Sequence, residues 1–174
     1  MGLMANSVSI YQYEVSGEIT ASDKRLWVQE CLGKNHFEPI ENSSEGESIG
    51  WVHFDEPMNS DFAVFSSFSF EQYFIFTLRK DTRRVPASLL KNLVEKECVE
   101  WLKERPKLAK VPFQRKREIR ENIQAALLAK ALPEPSMVDV LWDSSKNIVT
   151  IASISTKVLE DSCNSGFATC DATG

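Results

Sequence analysis

The run SFSFEQYFIFTLRK, residues 67–80, constrains this chain more than any other stretch. Phe68, Phe70, Gln72, Phe74, Phe76 and Leu78 recur at period two. One continuous strand would place all of them on a single face, and that face is core. The fold must therefore contain a sheet with one covered side.

Further strands are legible on either side of it. SVSIYQYEV (7–15) is β-branched and aromatic with near alternation, and IGWVHF (49–54) is a short apolar strand. SMVDVLWD, the turn SSKN and IVTIASIS predict a hairpin. After the first strand, Ser22 or Thr20 is expected to cap a helix that buries Leu26, Val28 or Trp27, and Leu32, then stops at Gly33. Residues 37–62 are irregular and acidic, broken by Gly46, Gly50 and Pro57.

Two long helices follow the aromatic run. The first opens with Pro86 in its first turn, carries Leu90, Val94, Cys98 and Trp101 at helical spacing, and ends at Pro106. Leu89, Leu93 and Leu102 widen its stripe. The second runs from near Pro112 to about Leu132, with a stripe of Ile119, Ile123, Ala126, Leu127 and the aliphatic stem of Lys130. A connector as short as RPKLAKVP makes the two antiparallel. TKVLED reads as the first turns of a helix that does not continue. The order is β-α-β-β-αα-β-β with an aborted final helix. That is an α+β fold of antiparallel strands with a long basic helical hairpin at 86–132. With 174 residues we expect one folded region over 1–160 and a disordered tail, DSCNSGFATCDATG, over 161–174.

The formal net charge of −5 conceals a sorted distribution. Residues 1–78 hold three basic and twelve acidic side chains, 79–130 hold fifteen and seven, and 131–174 hold two and six. The peak is KERPKLAKVPFQRKREIRENI (103–123), with eight Lys and Arg against three Glu. Arg105, Lys107 and Lys110 fall at the tip of the helical hairpin, and Arg115, Lys116, Arg117 and Arg120 in the first turns of the return helix. A helix start carries partial positive charge, so each exposed cation there costs about 0.3–1 kcal/mol. A helix selected for stability alone would carry Asp and Glu in that turn. The alternatives are a solvated face and a surface for polyanions. Helical charge runs are more often solvated faces, but the RKDTRR run (79–84), with Arg79, Lys80, Arg83 and Arg84, adds four cations just before the hairpin and brings the second alternative level with the first. Base-specific readout has no motif behind it, and only Phe113 or Trp51 is left to serve as a stacking platform.

Other chemistry finds little support. The acidic stretch 38–61 offers Glu38, Glu41, Glu45, Glu47, Asp55, Glu56 and Asp61 to a metal-dependent nuclease, but at no diagnostic spacing. Phosphate-loop, dinucleotide, zinc-protease and serine-hydrolase motifs are lacking, so no enzyme, catalytic residue or cofactor is expected. Cys31, Cys98, Cys163 and Cys170 show no paired spacing, and with His36 and His53 as the other soft ligands no metal site is expected. No apolar run is long enough to span a membrane, and MGLMANSVS is neither a secretory signal nor a myristoylation site, since Asn6 stands where Ser or Thr is needed. We expect a cytoplasmic protein.

IGWV (49–52), LRKDTRRVPASLLK (78–91) and VLWDSSKNIVTIASIS (140–155), in that order around a charged double helix, resemble the N-terminal part of the RdgC family, bacterial recombination-associated proteins. The resemblance covers about residues 5–160. It implies horseshoe subunits that close as a homodimeric ring around double-stranded DNA, bind without sequence preference, restrain RecA-driven strand exchange and lie with the nucleoid. It also brings a family label of exonuclease. Arg79, Lys80 and Lys91 match basic positions of the family pattern, and the cations of 105–120 match a basic segment in kind. LLAKAL (127–132) departs from the family's Leu-Leu-Pro-Arg-Ala-Phe. Departure from the pattern near Glu160 points to a truncated or frame-shifted chain. Three readings follow: duplex DNA binding first, then a metal-dependent exonuclease, then a basic protein-interaction module.

Overall fold

The computed structural model describes residues 9–15, 23–40 and 46–152. The spine is a pair of ten-residue strands, β4 (Tyr73–Thr82) and β5 (Glu134–Asp143), antiparallel and paired along their whole length from Tyr73↔Asp143 to Thr82↔Glu134. β6 (Ile148–Ile151) pairs with β5, and β1 (Tyr11–Glu14) pairs with β6. On the other side of β4 lie β2 (Glu47–Val52), against residues 77–82, and the two-residue β3 (Ser69–Phe70), against Tyr73 and Phe74. Every pairing in this six-stranded sheet is antiparallel, in the order β1-β6-β5-β4-β2 with β3 beside β2's position. With helices α1 (Lys24–Lys34), α2 (Ala87–Lys103) and α3 (Phe113–Lys130) the fold is α+β, as expected.

The register explains which side is buried. Phe74, Phe76 and Leu78 of β4 stand beside Trp142, Val140 and Val138 of β5, and Val149 and Ile151 of β6 extend the row. Together with Val28 and Leu32 of α1, Trp51, Phe62 and Phe68 they form the main core. Phe74 stacks on Trp142 at 5.2 Å, and Trp27 of α1 meets the same indole edge-on at 6.3 Å. Burying each such ring contributes roughly 1.5–3 kcal/mol relative to exposure.

The aromatic run is not one strand. Chain direction reverses at Glu71–Gln72, where Glu71 adopts φ 54°, a region thinly populated outside glycine. Residues before the turn therefore lie alongside β4 rather than extending it. Phe70, opposite Tyr73, is exposed, and Gln72 sits in the turn. Phe68 still reaches the core, presented by the short 3-10 turn Phe65–Ser67.

Smaller corrections have local causes. Asp23 caps α1, its Oδ1 accepting the Arg25 N–H at 2.8 Å; Ser22 and Thr20 lie outside the described residues. Leu26 is exposed, Cys31 is buried in its stead, and the helix runs through Gly33 to Lys34. β2 ends at Val52 because the His53 N–H turns to the Asn59 carbonyl (2.9 Å). Leu89 of α2, and Ala126 and Lys130 of α3, face solvent rather than the helix seam. α2 stops at Lys103, before Pro106, since proline disfavours helical geometry in the residue preceding it. The predicted final helix and the tail lie outside the described residues.

Gly50 of the Gly-Trp-Val triplet has a steric role. A Cβ at that position would lie 2.5 Å from the Phe37 nitrogen and 2.6 Å from the His36 carbonyl oxygen, both main-chain atoms. That backbone is held there by Phe37 N–H to Trp51 O (3.0 Å) and Trp51 N–H to Asn35 O (2.9 Å). We predict that Gly50→Ala lowers unfolding free energy by about 2 kcal/mol or more, measured by urea titration.

The β5–β6 turn is organised by Asp143. Its Oδ1 accepts the Ser145 hydroxyl (2.6 Å) and the N–H groups of Ser145 (3.0 Å) and Lys146 (3.2 Å). The Ser145 hydroxyl bond is the chief cause holding this carboxyl below its ordinary value of 3.8, against an opposing effect of burial. A carboxylate depressed by folding stabilises above its unfolded pKa and loses that contribution as pH falls. The stability difference between wild type and Asp143→Asn should therefore be full at neutral pH and shrink below about pH 4, read by urea unfolding at stepped pH.

Candidate nucleic-acid interface

The helical hairpin replaces what would otherwise be a tight turn between β4 and β5. Thr82 and Glu134 are register partners, and residues 83–133 leave and return between them. α2 and α3 share a small core of their own, Leu90, Val94 and Ile119, with Val85, Cys98, Ile123 and Leu127 packed against it. Seventeen residues of α2 rise about 25 Å, so the hairpin carries its connector far from its root.

At the tip the structure assembles what the spacing suggests. Pro112 opens α3 with extended geometry, no side chain caps the helix, and its first turn contains no acidic residue. The first i to i−4 bond is the Lys116 N–H to the Pro112 carbonyl (3.0 Å). The N–H groups of Phe113, Gln114 and Arg115 thus have no helical acceptor. Arg105, Lys107 and Lys110 lie in the connector that leads into this end, Arg115, Lys116 and Arg117 in the first turns of the helix, and Arg120 one turn further on.

Their pairing is uneven. Arg115 donates to Glu118 at 2.9 Å, and its buried Nε has no partner among the described residues. Arg117 donates to Glu121 at 2.8 Å, and that hydrogen bond, then the charge of Glu121, raises its pKa further. Arg105 lies 4.3 Å above the Trp101 ring and donates to Glu104 at 3.1 Å. The i, i+4 spacing of Trp101 and Arg105 is a signal that the apolar stripe alone does not read. Among the described residues no carboxylate lies within 4.0 Å of Lys107, Lys110, Lys116 or Arg120. Exposed pairs of this kind contribute at most about 1 kcal/mol, so a phosphate can compete for them.

The second set of cations lies at the hairpin root. Arg79, grouped by sequence with the DNA-facing residues, is turned inward, with 12% of its side chain exposed. Its Nε and one Nη hold the two Asp81 oxygens at 2.8 Å each, the other Nη donates to the Pro57 carbonyl (3.1 Å), and the guanidinium covers Phe37 at 4.4 Å. The cause is position: residue 79 alternates away from the main core onto the sheet face that the loops around 37 and 57 cover. Lys80 meets Glu47 at 3.4 Å and is mostly buried. The main-chain N–H of Arg83 donates to Gly46 O at 2.7 Å, and its Nε is buried without a partner among the described residues. Arg84 faces Glu134 at 3.9 Å and Lys91 faces Glu95 at 4.0 Å, all four exposed. Arg84 and Lys91 thus remain accessible at the root, about a hairpin's length from the tip.

The acidic stretch does not converge. Glu47 pairs with Lys80, Glu56 accepts from Asn59 (3.1 Å), and Asp61 caps the Ala63 N–H (3.0 Å). Among the described residues no group of three or more His, Cys, Asp or Glu side chains is placed to share a metal ion; Glu41 and Glu45 lie outside them. Trp51, one of the two candidate stacking residues, is buried edge-on against Phe76 at 4.9 Å, while Phe113 is exposed. No helix among the described residues is long and apolar enough to cross a membrane.

A family model described as "Putative exonuclease, RdgC" matches residues 6–167, nearly the whole chain, and reaches past the point near Glu160 where the quoted motifs give out. No curated protein matches the chain. The match takes in the glycine that the Phe37 backbone demands, the β4–β5 spine and the charged hairpin between them; the chain belongs to the RdgC family, whose proteins are associated with recombination.

Proposed function

We propose that this chain binds double-stranded DNA without sequence preference, gripping phosphates with the tip of its helical hairpin. The observation that carries this reading is the uncapped start of α3, with no acidic residue in its first turn and cations in that turn and the connector before it, of which Lys107, Lys110 and Lys116 have no carboxylate within 4.0 Å among the described residues. Intrinsic helix electrostatics disfavour that arrangement until an anion arrives, and oriented N–H groups with Lys and Arg are what phosphate oxygens take. Contacts to backbone alone carry no base information, which matches the lack of any groove-reading motif.

Within recombination, a protein that occupies the duplex backbone competes with RecA-type strand exchange for the same DNA. We place the chain there, at the nucleoid, acting as a homodimer whose second hairpin doubles the phosphate contacts. The family description favours a second reading, a metal-dependent exonuclease. Incubation with labelled duplex and Mg²⁺ or Mn²⁺ separates the two: shortened products support the nuclease, and binding with intact DNA supports the clamp.

Duplex affinity should fall steeply between about 50 and 200 mM salt, with a log–log slope of roughly −0.9 per phosphate contact. Replacing Arg115, Lys116 and Arg117 together by Ala should weaken binding for every sequence alike and flatten that slope by roughly 2–3. Electrophoretic shifts across a salt series check both. Wild-type protein that shifts no duplex at low salt ends the proposal.

A further inference from the structure

Phe113 is the first residue of α3 and is 78% exposed, so its ring contributes almost nothing to the hairpin's own core. Its surroundings are not those of an ordinary apolar contact. Lys116 and Arg117 stand three and four residues on, so helix periodicity places them on the same face as the ring. Lys110 precedes it in the connector. An apolar protein partner would meet a ring with cations on its flanks. A nucleic acid offers the complementary pattern, with flat apolar bases between rows of phosphate. The other tip aromatic, Trp101, has its ring face covered by Arg105 at 4.3 Å, which leaves Phe113 as the open ring there. Pro112 fixes the backbone entering the ring (φ −57°, ψ 145°), and Phe has only two side-chain torsions to order on contact.

We infer that Phe113 contacts bases, its ring inserting at a base step that opens easily while Lys116 and Arg117 hold the flanking phosphates. Phenylalanine wedges of this kind unstack a step at a cost of a few kcal/mol, least where pairing is already broken. The chain then favours DNA with a mismatch or a short single-stranded gap over the same duplex fully paired. This rests on the phosphate-binding reading and adds to it a preference that phosphate contacts alone cannot produce.

The test measures affinity for one duplex in three forms: fully paired, with a central mismatch, and with a central gap of a few nucleotides. Base–aromatic stacking lost on alanine substitution amounts to roughly tenfold in affinity. Wild type should bind the gapped and mismatched forms about tenfold more tightly than the paired one. Phe113→Ala should abolish that difference with the salt slope retained, and Phe113→Trp should restore it. Sedimentation of the same samples reads the oligomeric state. Salt-dependent binding that is indifferent to gap, mismatch and Phe113→Ala overturns the inference and spares the phosphate reading. So does a Phe113→Ala effect confined to self-association. Failure of wild type to bind any of the three overturns both.

Discussion

Everything that positions the basic tip depends on the continuous pairing of β4 with β5. Ten residues on each strand are in register, with Thr82 facing Glu134 at the point where the helical hairpin departs. The two ends of a 51-residue excursion (83–133) are thereby held at strand spacing, and each helix enters and leaves from a fixed root. α2 and α3 need only a small seam, Leu90, Val94 and Ile119, to lie together. The sheet core on one side of the root and this seam on the other are separate clusters. Charge on the hairpin can consequently be tuned without disturbing the sheet.

That separation accounts for the uneven charge of the chain. The strands and their loops carry most of the acid, while the excursion holds the excess of Lys and Arg. On β4, at the root, two cations are used internally: Arg79 bridges Asp81, Pro57 and Phe37, and Lys80 meets Glu47. At the tip, Arg105, Arg115 and Arg117 are held by exposed pairs, and Lys107, Lys110 and Lys116 face solvent, at a helix end whose own partial charge repels them. The same residue types therefore do different work according to which face of which element carries them.

The sequence makes the tip legible and the root deceptive, for physical reasons. Pro86, Pro106 and Pro112 punctuate two apolar stripes, so the hairpin and its uncapped N-terminus follow from backbone chemistry alone. The hairpin around Asp143 is equally open to reading, because an Asp followed by Ser-Ser-Lys-Asn supplies its own turn bonds. The reversal at Glu71–Gln72 has no glycine or asparagine to announce it, and the alternating aromatics continue across it unbroken. Arg79 misleads in another way. Period two shows only that it points away from Leu78 and the main core. That the Phe37 and Pro57 segments fold over that second face is a tertiary fact, and Gly50 is its one local trace.

The most direct test of a tip-held phosphate grip is where DNA touches the chain. Single cysteines introduced at Lys107, Lys116, Arg84 and Lys91, each carrying a short photocrosslinker, can be irradiated with labelled duplex at low salt. Strong crosslinks are expected from positions 107 and 116, disappearing as salt rises, with weaker ones from the root positions 84 and 91. Crosslinks confined to the root, or to a control cysteine on β1, would contradict a grip at the tip.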